Sequence, residues 1–215
     1  MNAATGIRHD IERRTIGIRA LGKKEYEPLW REMQNFTNFR DSNTADEIWF
    51  AEHPPVFTLG LNASREHLLT PGDIPVIQID RGGQVTYHGP GQLMIYALVD
   101  LKRAHLGIRD LVTALEQSVV DLAAAYGIDA ESRPDAPGVY VAGTKIASVG
   151  LRIRRWCSYH GMALNVDMDL EPYSRINPCG YAGLEVTDLN RLGVERNLSA
   201  IARELEPLLL GHLGF

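Results

Sequence analysis

Cys179 lies in the run Ile176-Asn-Pro-Cys-Gly-Tyr181, where Pro178 fixes φ and removes an amide donor, so the cysteine belongs to a loop or turn. Cysteine is otherwise among the most buried residue types, and a position between proline and glycine suits reactivity better than packing. An unperturbed thiol, with a pKa of ~8.5, is only a few per cent thiolate at pH 7, so nucleophilic work requires a cation or a base beside it. The other cysteine, Cys157, falls in the strand-like Trp156-Cys-Ser-Tyr-His-Gly-Met-Ala-Leu-Asn165 and reads as structural.

The candidate partner for Cys179 is Lys145, which stands between apolar neighbours in Gly138-Val-Tyr-Val-Ala-Gly-Thr-Lys-Ile-Ala-Ser-Val-Gly150. A strand there would partly bury the amine, and burial lowers a lysine pKa from its reference of ~10.4 toward that of a usable base. The alternative is a lysine that snorkels from an edge strand into solvent. A third stretch, Arg81-Gly-Gly-Gln-Val-Thr-Tyr-His-Gly-Pro-Gly-Gln92, sets four glycines and a proline around a short strand. It reads as a binding surface whose backbone can approach a ligand closely, or as a hairpin with a tight turn at each end. It matches neither the dinucleotide fingerprint nor the phosphate loop ending in Gly-Lys-Ser/Thr. His53, His88 and His160 are each followed closely by Pro or Gly, and each alone reads as structural. No His/Asp/Glu spacing announces a metal site, so no metal and no cofactor are expected.

Elements that could position these residues follow from the periodicity. Ile16 to Leu21 reads as a strand. Tyr26, Leu29, Trp30, Met33 and Phe36 recur at helical spacing, giving a helix that ends near Asp41-Ser42-Asn43. Strands are expected at Glu47 to Ala51, Val56 to Leu59 and Val76 to Ile79, and a second helix from Arg109 to Tyr126 with Gly127 placed to end it. Gly138 to Val141, Lys145 to Ile153 and Trp156 to Val166 read as a meander with Ala142-Gly143 at its first turn, and Leu198 to Leu210 as a last helix. Hairpins beside longer helices predict an α+β fold with a mixed or antiparallel sheet rather than a doubly wound one.

Hydrophobic residues make up 45% and charged residues 23% of the 215, which is globular rather than disordered or membrane composition. One domain spanning residues 1–215 is expected, with a monomer as the default. A net charge of -5 disfavours nucleic acid and anionic lipid as partners. The start, Met1 to Asp10, shows no secretory signal, and apolar stretches such as Leu93 to Val99 are far short of a membrane span, so a cytoplasmic location is expected. Two cysteines without Cys-x-x-Cys spacing give a disulfide framework or structural zinc little support.

Taken together, Glu52-His-Pro-Pro-Val-Phe-Thr-Leu-Gly60, the Arg81–Gln92 stretch, Gly143-Thr-Lys-Ile-Ala-Ser148, His160-Gly-Met-Ala-Leu-Asn165 and Asn177-Pro-Cys-Gly180 resemble the lipoyl(octanoyl) transferases. The resemblance implies a fold similar to that of lipoate and biotin protein ligases, with helices packed on a mixed, largely antiparallel sheet and a smaller second sheet. It implies that octanoyl passes from acyl carrier protein to Cys179 as a thioester, and then to a lysine of lipoyl domains in oxo-acid dehydrogenase E2 subunits and the glycine cleavage H protein. Lys145 would handle the protons. It further implies that the acyl group lies against Arg81, Gly82, Gly83, Gln84, Val85, Thr86, Tyr87 and His88, against Ser148, Val149 and Gly150, and against Gly161, Met162 and Ala163. An acidic carrier would need a basic patch, for which Arg152, Arg154, Arg155, Lys102 and Arg103 are candidates. Two rival readings are an ATP-dependent lipoate or biotin ligase of the same superfamily, which would not require Cys179, and a non-catalytic domain that merely holds lipoyl domains or carrier protein.

Overall fold

The computed structural model describes residues 15–215, Cys179 by its backbone alone; Met1 to Asp10, read above for a targeting signal, lies outside the described residues. In chain order the elements are β1 (Ile16–Lys23), α1 (Tyr26–Phe39), β2 (Asp46–Glu52), β3 (Val56–Leu59), β4 (Val76–Gln78), β5 (Val85–His88), β6 (Gln92–Leu98), α2 (Leu101–Ala104), α3 (Ile108–Ala125), β7 (Ala130–Ser132), β8 (Gly138–Val141), β9 (Thr144–Arg154), β10 (Cys157–Asn165) and α4 (Leu198–Leu213). The large sheet has the order β1-β2-β6-β10-β9-β8-β7, and the small one β4-β3-β5. Among the described strand pairs, only β1–β2 and β3–β4 are parallel. The α+β expectation of a mixed, largely antiparallel sheet with a second, smaller one therefore holds.

The large sheet is covered on both faces. Ile48 and Phe50 of β2 and Leu93, Ile95 and Ala97 of β6 pack with Leu111, Leu115 and Val119 of α3 and Ile201, Leu205 and Leu209 of α4. The alternate residues, Trp49, Ala51, Met94, Tyr96 and Leu98, pack under Tyr26, Leu29, Trp30 and Met33 of α1. A strand buried on both faces carries an unbroken apolar run. This is why Leu93 to Val99 shows no alternation in the sequence, although it forms the middle of the sheet.

Most helix and strand boundaries fall within a few residues of those expected. The Asp110 side chain accepts from Gly107 N at 2.7 Å at the start of α3, and Gly127, at φ 74°, follows its end. Ala142 and Gly143 have φ of 47° and 87°, and Arg155 and Trp156 have 50° and 65°, the paired positive values of tight hairpin turns. Trp156 is thus a turn residue rather than the start of β10. Among the described residues, no helix is long and apolar enough to cross a membrane.

Candidate active site

A cavity of about 400 Å³ separates β9 and β10 from the loop and strand 81–88. Gly82 N donates to Leu151 O at 2.9 Å, pinning the glycine-rich loop to β9. Arg81 holds the same loop from inside: it is 7% exposed, and its guanidinium donates to Thr58 O and Thr58 Oγ1, both at 2.8 Å, and to Gly82 O at 2.9 Å. Crossing here is so close that a β-carbon on Gly60 would lie 2.1 Å from Gly83 O. Glycine is therefore needed where the two chain segments touch.

The cavity brings together most of the residues named from the sequence: Arg81, Gly82, Gly83, Gln84, Val85, Thr86 and His88 on one side, and Lys145, Ser148, Val149, Gly150, Gly161, Met162 and Ala163 on the other. Tyr87 is the exception. Alternation along β5 turns its ring away, to pack against Phe57 and Tyr173 in the core of the small sheet. Gly161 lies where β10 and β6 approach so closely that a β-carbon would come 1.9 Å from Ile95 O. The wall also includes the exposed Asp135, Pro137 and Tyr181 and the buried Tyr26, Met94, Tyr96 and His160.

Lys145 is 2% exposed. Its backbone N–H donates to Glu185 O at 2.9 Å and its carbonyl accepts from Thr187 N at 3.0 Å, so the segment around Val186 lies along β9 and covers it. Its Nζ stands 5.2 Å from the centre of the Tyr140 ring. The snorkelling alternative does not describe this side chain. Glu116 of α3, which sequence reasoning passed over as one position on an apolar helix, is 7% exposed and accepts from Gly138 N at 2.6 Å. Burial raises its pKa, against the lowering effect of that hydrogen bond and of the Lys145 charge.

Cys179 occupies a 3-10 turn, Pro178–Gly180. Asn177 N donates to His67 O at 2.8 Å just before the turn, and at Gly180, with φ 83°, a β-carbon would lie 3.0 Å from Gln84 Cγ. The turn thus packs on a residue of the cavity wall. Cys157, by contrast, is 8% exposed on β10, its thiol donates to Arg155 O at 3.7 Å, and burial raises its pKa.

Behind the wall runs a buried polar chain. His88 Nδ1 lies 2.8 Å from Gln92 Oε1; an amide oxygen only accepts, so Nδ1 donates and Nε2 is left to accept from the Thr58 hydroxyl at 3.2 Å. Burial holds His88 well below the usual histidine range, so it is neutral. Gln92 Nε2 in turn donates to Asn165 Oδ1 at 2.9 Å and the Tyr173 hydroxyl at 3.0 Å. His53 makes a similar internal pair, Nδ1 donating to Lys24 O and Nε2 accepting from Tyr96 OH, both at 2.6 Å, and burial lowers its pKa to about 4. Asp80, also missed in the sequence, adjoins Arg81 and accepts from Trp30, Gln34, Tyr159 and His160. Among the described residues no three His, Cys, Asp or Glu side chains gather as a metal site.

A model of the lipoyl protein ligase A/B catalytic domain matches residues 25–206, and the chain belongs to that family. Within it, the chain is 56% identical over 201 residues to an octanoyltransferase of Pseudomonas fluorescens (strain Pf0-1), covering 94% of each chain. It is 58% identical over 201 residues to an octanoyltransferase of Nitrosococcus oceani, covering 94% of this chain and 90% of that one. In fold it is similar to a bi-partite lipoate protein ligase of Thermoplasma acidophilum, solved in a study of that ligase and its E2 lipoyl domain. The TM-score is 0.74 at 15% identity, covering 94% of this chain and 85% of the ligase.

Proposed function

We propose that the chain is an octanoyltransferase that carries its acyl group as a thioester on Cys179, with Lys145 moving the protons. The observations that support this reading are a buried lysine in the wall of a cavity and a Pro-Cys-Gly turn whose Gly180 packs on Gln84 of the same wall. Lys145 takes the Cys179 proton, and the sulfur attacks the carbonyl carbon of the octanoyl thioester on acyl carrier protein. A new C–S bond forms, the carrier C–S bond breaks, and the departing carrier sulfur receives the proton from Lys145. In the second half the amine of a lipoyl-domain lysine attacks the Cys179 thioester, Lys145 takes the amine proton, and the Cys179 sulfur leaves as a thiol. Splitting the transfer keeps a thioester on both sides of the first step, so neither half is steeply uphill. The acceptors are lipoyl domains of oxo-acid dehydrogenase E2 subunits and the glycine cleavage H protein.

The acidic carrier needs a basic docking surface. Of the five cations named from the sequence, Arg103 is engaged with Asp46 at 2.7 Å, and Arg155 donates to Thr37 O and Asn38 O at 3.0 and 2.6 Å. Arg152 and Arg154 are exposed on β9, and Lys102 Nζ sits 5.8 Å from the centre of the exposed Trp156 ring. These three make the candidate surface.

Incubation with octanoyl carrier protein, followed by intact-mass measurement, tests the mechanism. One added octanoyl group, released by hydroxylamine, retained in Cys157→Ala and lost in Cys179→Ala, is expected. A persistent adduct in Cys179→Ala, or none in the parent, would overturn the thioester. Transfer of free octanoate that depends on ATP would point to ligase chemistry instead.

A further inference from the structure

Glu116 places a carboxyl group on the buried stripe of α3. It is 7% exposed and stands one helical turn past Val112, which lines the cavity. A carboxylate taken out of water is costly unless something compensates it. One compensation is the 2.6 Å bond that its Oε1 accepts from Gly138 N, shorter than an ordinary amide bond, as expected when the acceptor is ionised. The other lies across the same glycine. A β-carbon on Gly138 would come 2.5 Å from Lys145 Cε and 3.2 Å from its Nζ, so the residue that Glu116 holds is the one against which the tip of the lysine rests.

The strand pairing brings the amine there. Val139 of β8 pairs with Ala147 and Tyr140 with Lys145, which leaves Ile146 as the extra residue of a bulge. A bulge of this kind re-aims a neighbouring side chain. Lys145 pairs with Tyr140 through its backbone, while its Cε and Nζ lie against Gly138, two residues back along β8. Burial raises the pKa of the Glu116 carboxyl, and the Gly138 bond and the Lys145 charge pull it back. Other titratable groups on the elements packed around α3 are engaged elsewhere. The Tyr140 hydroxyl of β8 donates to Ala136 O at 2.7 Å, Glu131 of β7 pairs with Arg133 at 2.8 Å, and Glu204 and His212 of α4 are bonded to Tyr126 and Asp121. Glu185, on the segment that covers Lys145, is exposed.

Under the octanoyltransferase reading, on which this inference rests, Lys145 is an ammonium each time it takes the Cys179 proton, and at 2% exposure it has little water to stabilise that charge. We infer that Glu116 is a positioning residue for the transfer: an ionised carboxylate that holds Gly138 and balances the ammonium of Lys145. The proton passes from the Cys179 sulfur to Lys145 Nζ and on to the departing carrier sulfur, while Glu116 keeps its charge throughout. A negative charge raises the proton affinity of the groups near it. Both proton losses of the Cys179–Lys145 pair therefore fall at higher pH, and the reactive, singly protonated pair moves with them.

Single-turnover acylation of the full-length protein by octanoyl carrier protein, measured across pH, tests this in Glu116→Gln, whose amide oxygen can still accept from Gly138 N. Both limbs of the pH profile are expected at least about half a pH unit lower than in the unaltered protein. A loss of packing alone would reduce the rate alike at every pH, so a smaller displacement, or one upward, overturns the assignment. Linkage supplies a second measurement that needs neither that variant nor acyl transfer. In Lys145→Met, which keeps an unbranched chain and removes the charge, the Glu116 carboxyl carbon, followed by 13C NMR, should titrate at least about half a pH unit higher than in the unaltered protein. A smaller difference overturns the counter-charge, whether or not Glu116→Gln folds. Failure of the unaltered protein to acylate at all would count against the transferase reading and leave the NMR result to decide for Glu116.

Discussion

Gly138 leaves the space that the Lys145 side chain occupies: a β-carbon on Gly138 would come 2.5 Å from Lys145 Cε and 2.3 Å from the carbonyl oxygen of Ala147. Its φ of 140° also lies outside the range that side-chain-bearing residues adopt readily. The glycine therefore sets where the lysine stands, although it does no chemistry itself. Gly138→Ala is expected to cost about 2–4 kcal/mol of stability through strain and crowding. It should also slow thioester formation by about 100-fold through a displaced amine. Stopped-time mass measurements on samples shown by circular dichroism to be folded separate the two effects. A folded Gly138→Ala protein that acylates at the parent rate would show that the position of Lys145 does not matter.

The buried histidines make stability depend on pH in a definite direction. The folded pKa of His53 is lowered to about 4 by burial, and those of His88 and His160 are lowered too, whereas in the unfolded chain each titrates near ~6.5. Between the folded and unfolded values the unfolded chain binds more protons. Stability is then fully present above ~6.5 and is lost as pH falls through that value. For His53 alone the loss at pH 5 is about 2 kcal/mol, from ~1.4 kcal/mol per pH unit over ~1.5 units. Urea unfolding at pH 7 and pH 5 should show the midpoint dropping. His53→Gln, whose amide can still donate to Lys24 O and accept from Tyr96 OH, should show a shallower fall. Equal slopes in the two proteins would mean that His53 is not the group taking up the proton.

What could be read in the sequence was local, and what could not was mostly long-range. The Pro-Cys-Gly turn and the hairpin turn at Ala142-Gly143 follow from backbone restrictions of a few residues, so they are visible without a fold. The glycine-rich loop showed that backbone would approach something closely; part of that something is its own chain, at Gly60 and Gly83. Tyr87 shared the motif with Thr86 and His88, yet strand alternation sends it to the other side. Asp80 is an ordinary acidic residue until residues 30, 34, 159 and 160 converge on it. The only local hint was its place beside Arg81. Glu116 offered slightly more, since it stands next to Leu115 on the buried stripe of α3.

Charge reversal at Arg152 and Arg154 separates carrier docking from chemistry. Both side chains are exposed and project from β9, seven and nine residues beyond Lys145 on the same strand. At ~3.3 Å per residue they stand more than about 20 Å along β9 from the lysine, so their charge acts on a docked partner rather than on the reacting atoms. Rim charges of this sort chiefly change association rates and salt sensitivity. Arg152→Glu with Arg154→Glu should weaken binding of the octanoyl carrier protein by about tenfold at 20 mM salt, with the difference shrinking toward 300 mM as screening sets in. Acylation by a small octanoyl thioester lacking the carrier should proceed at the parent rate. Surface resonance measurements of carrier binding across that salt range give the answer directly. Unchanged affinity at low salt would move the docking site elsewhere on the molecule, while loss of activity toward the small thioester as well would show that the substitutions disturb β9 rather than a docking surface.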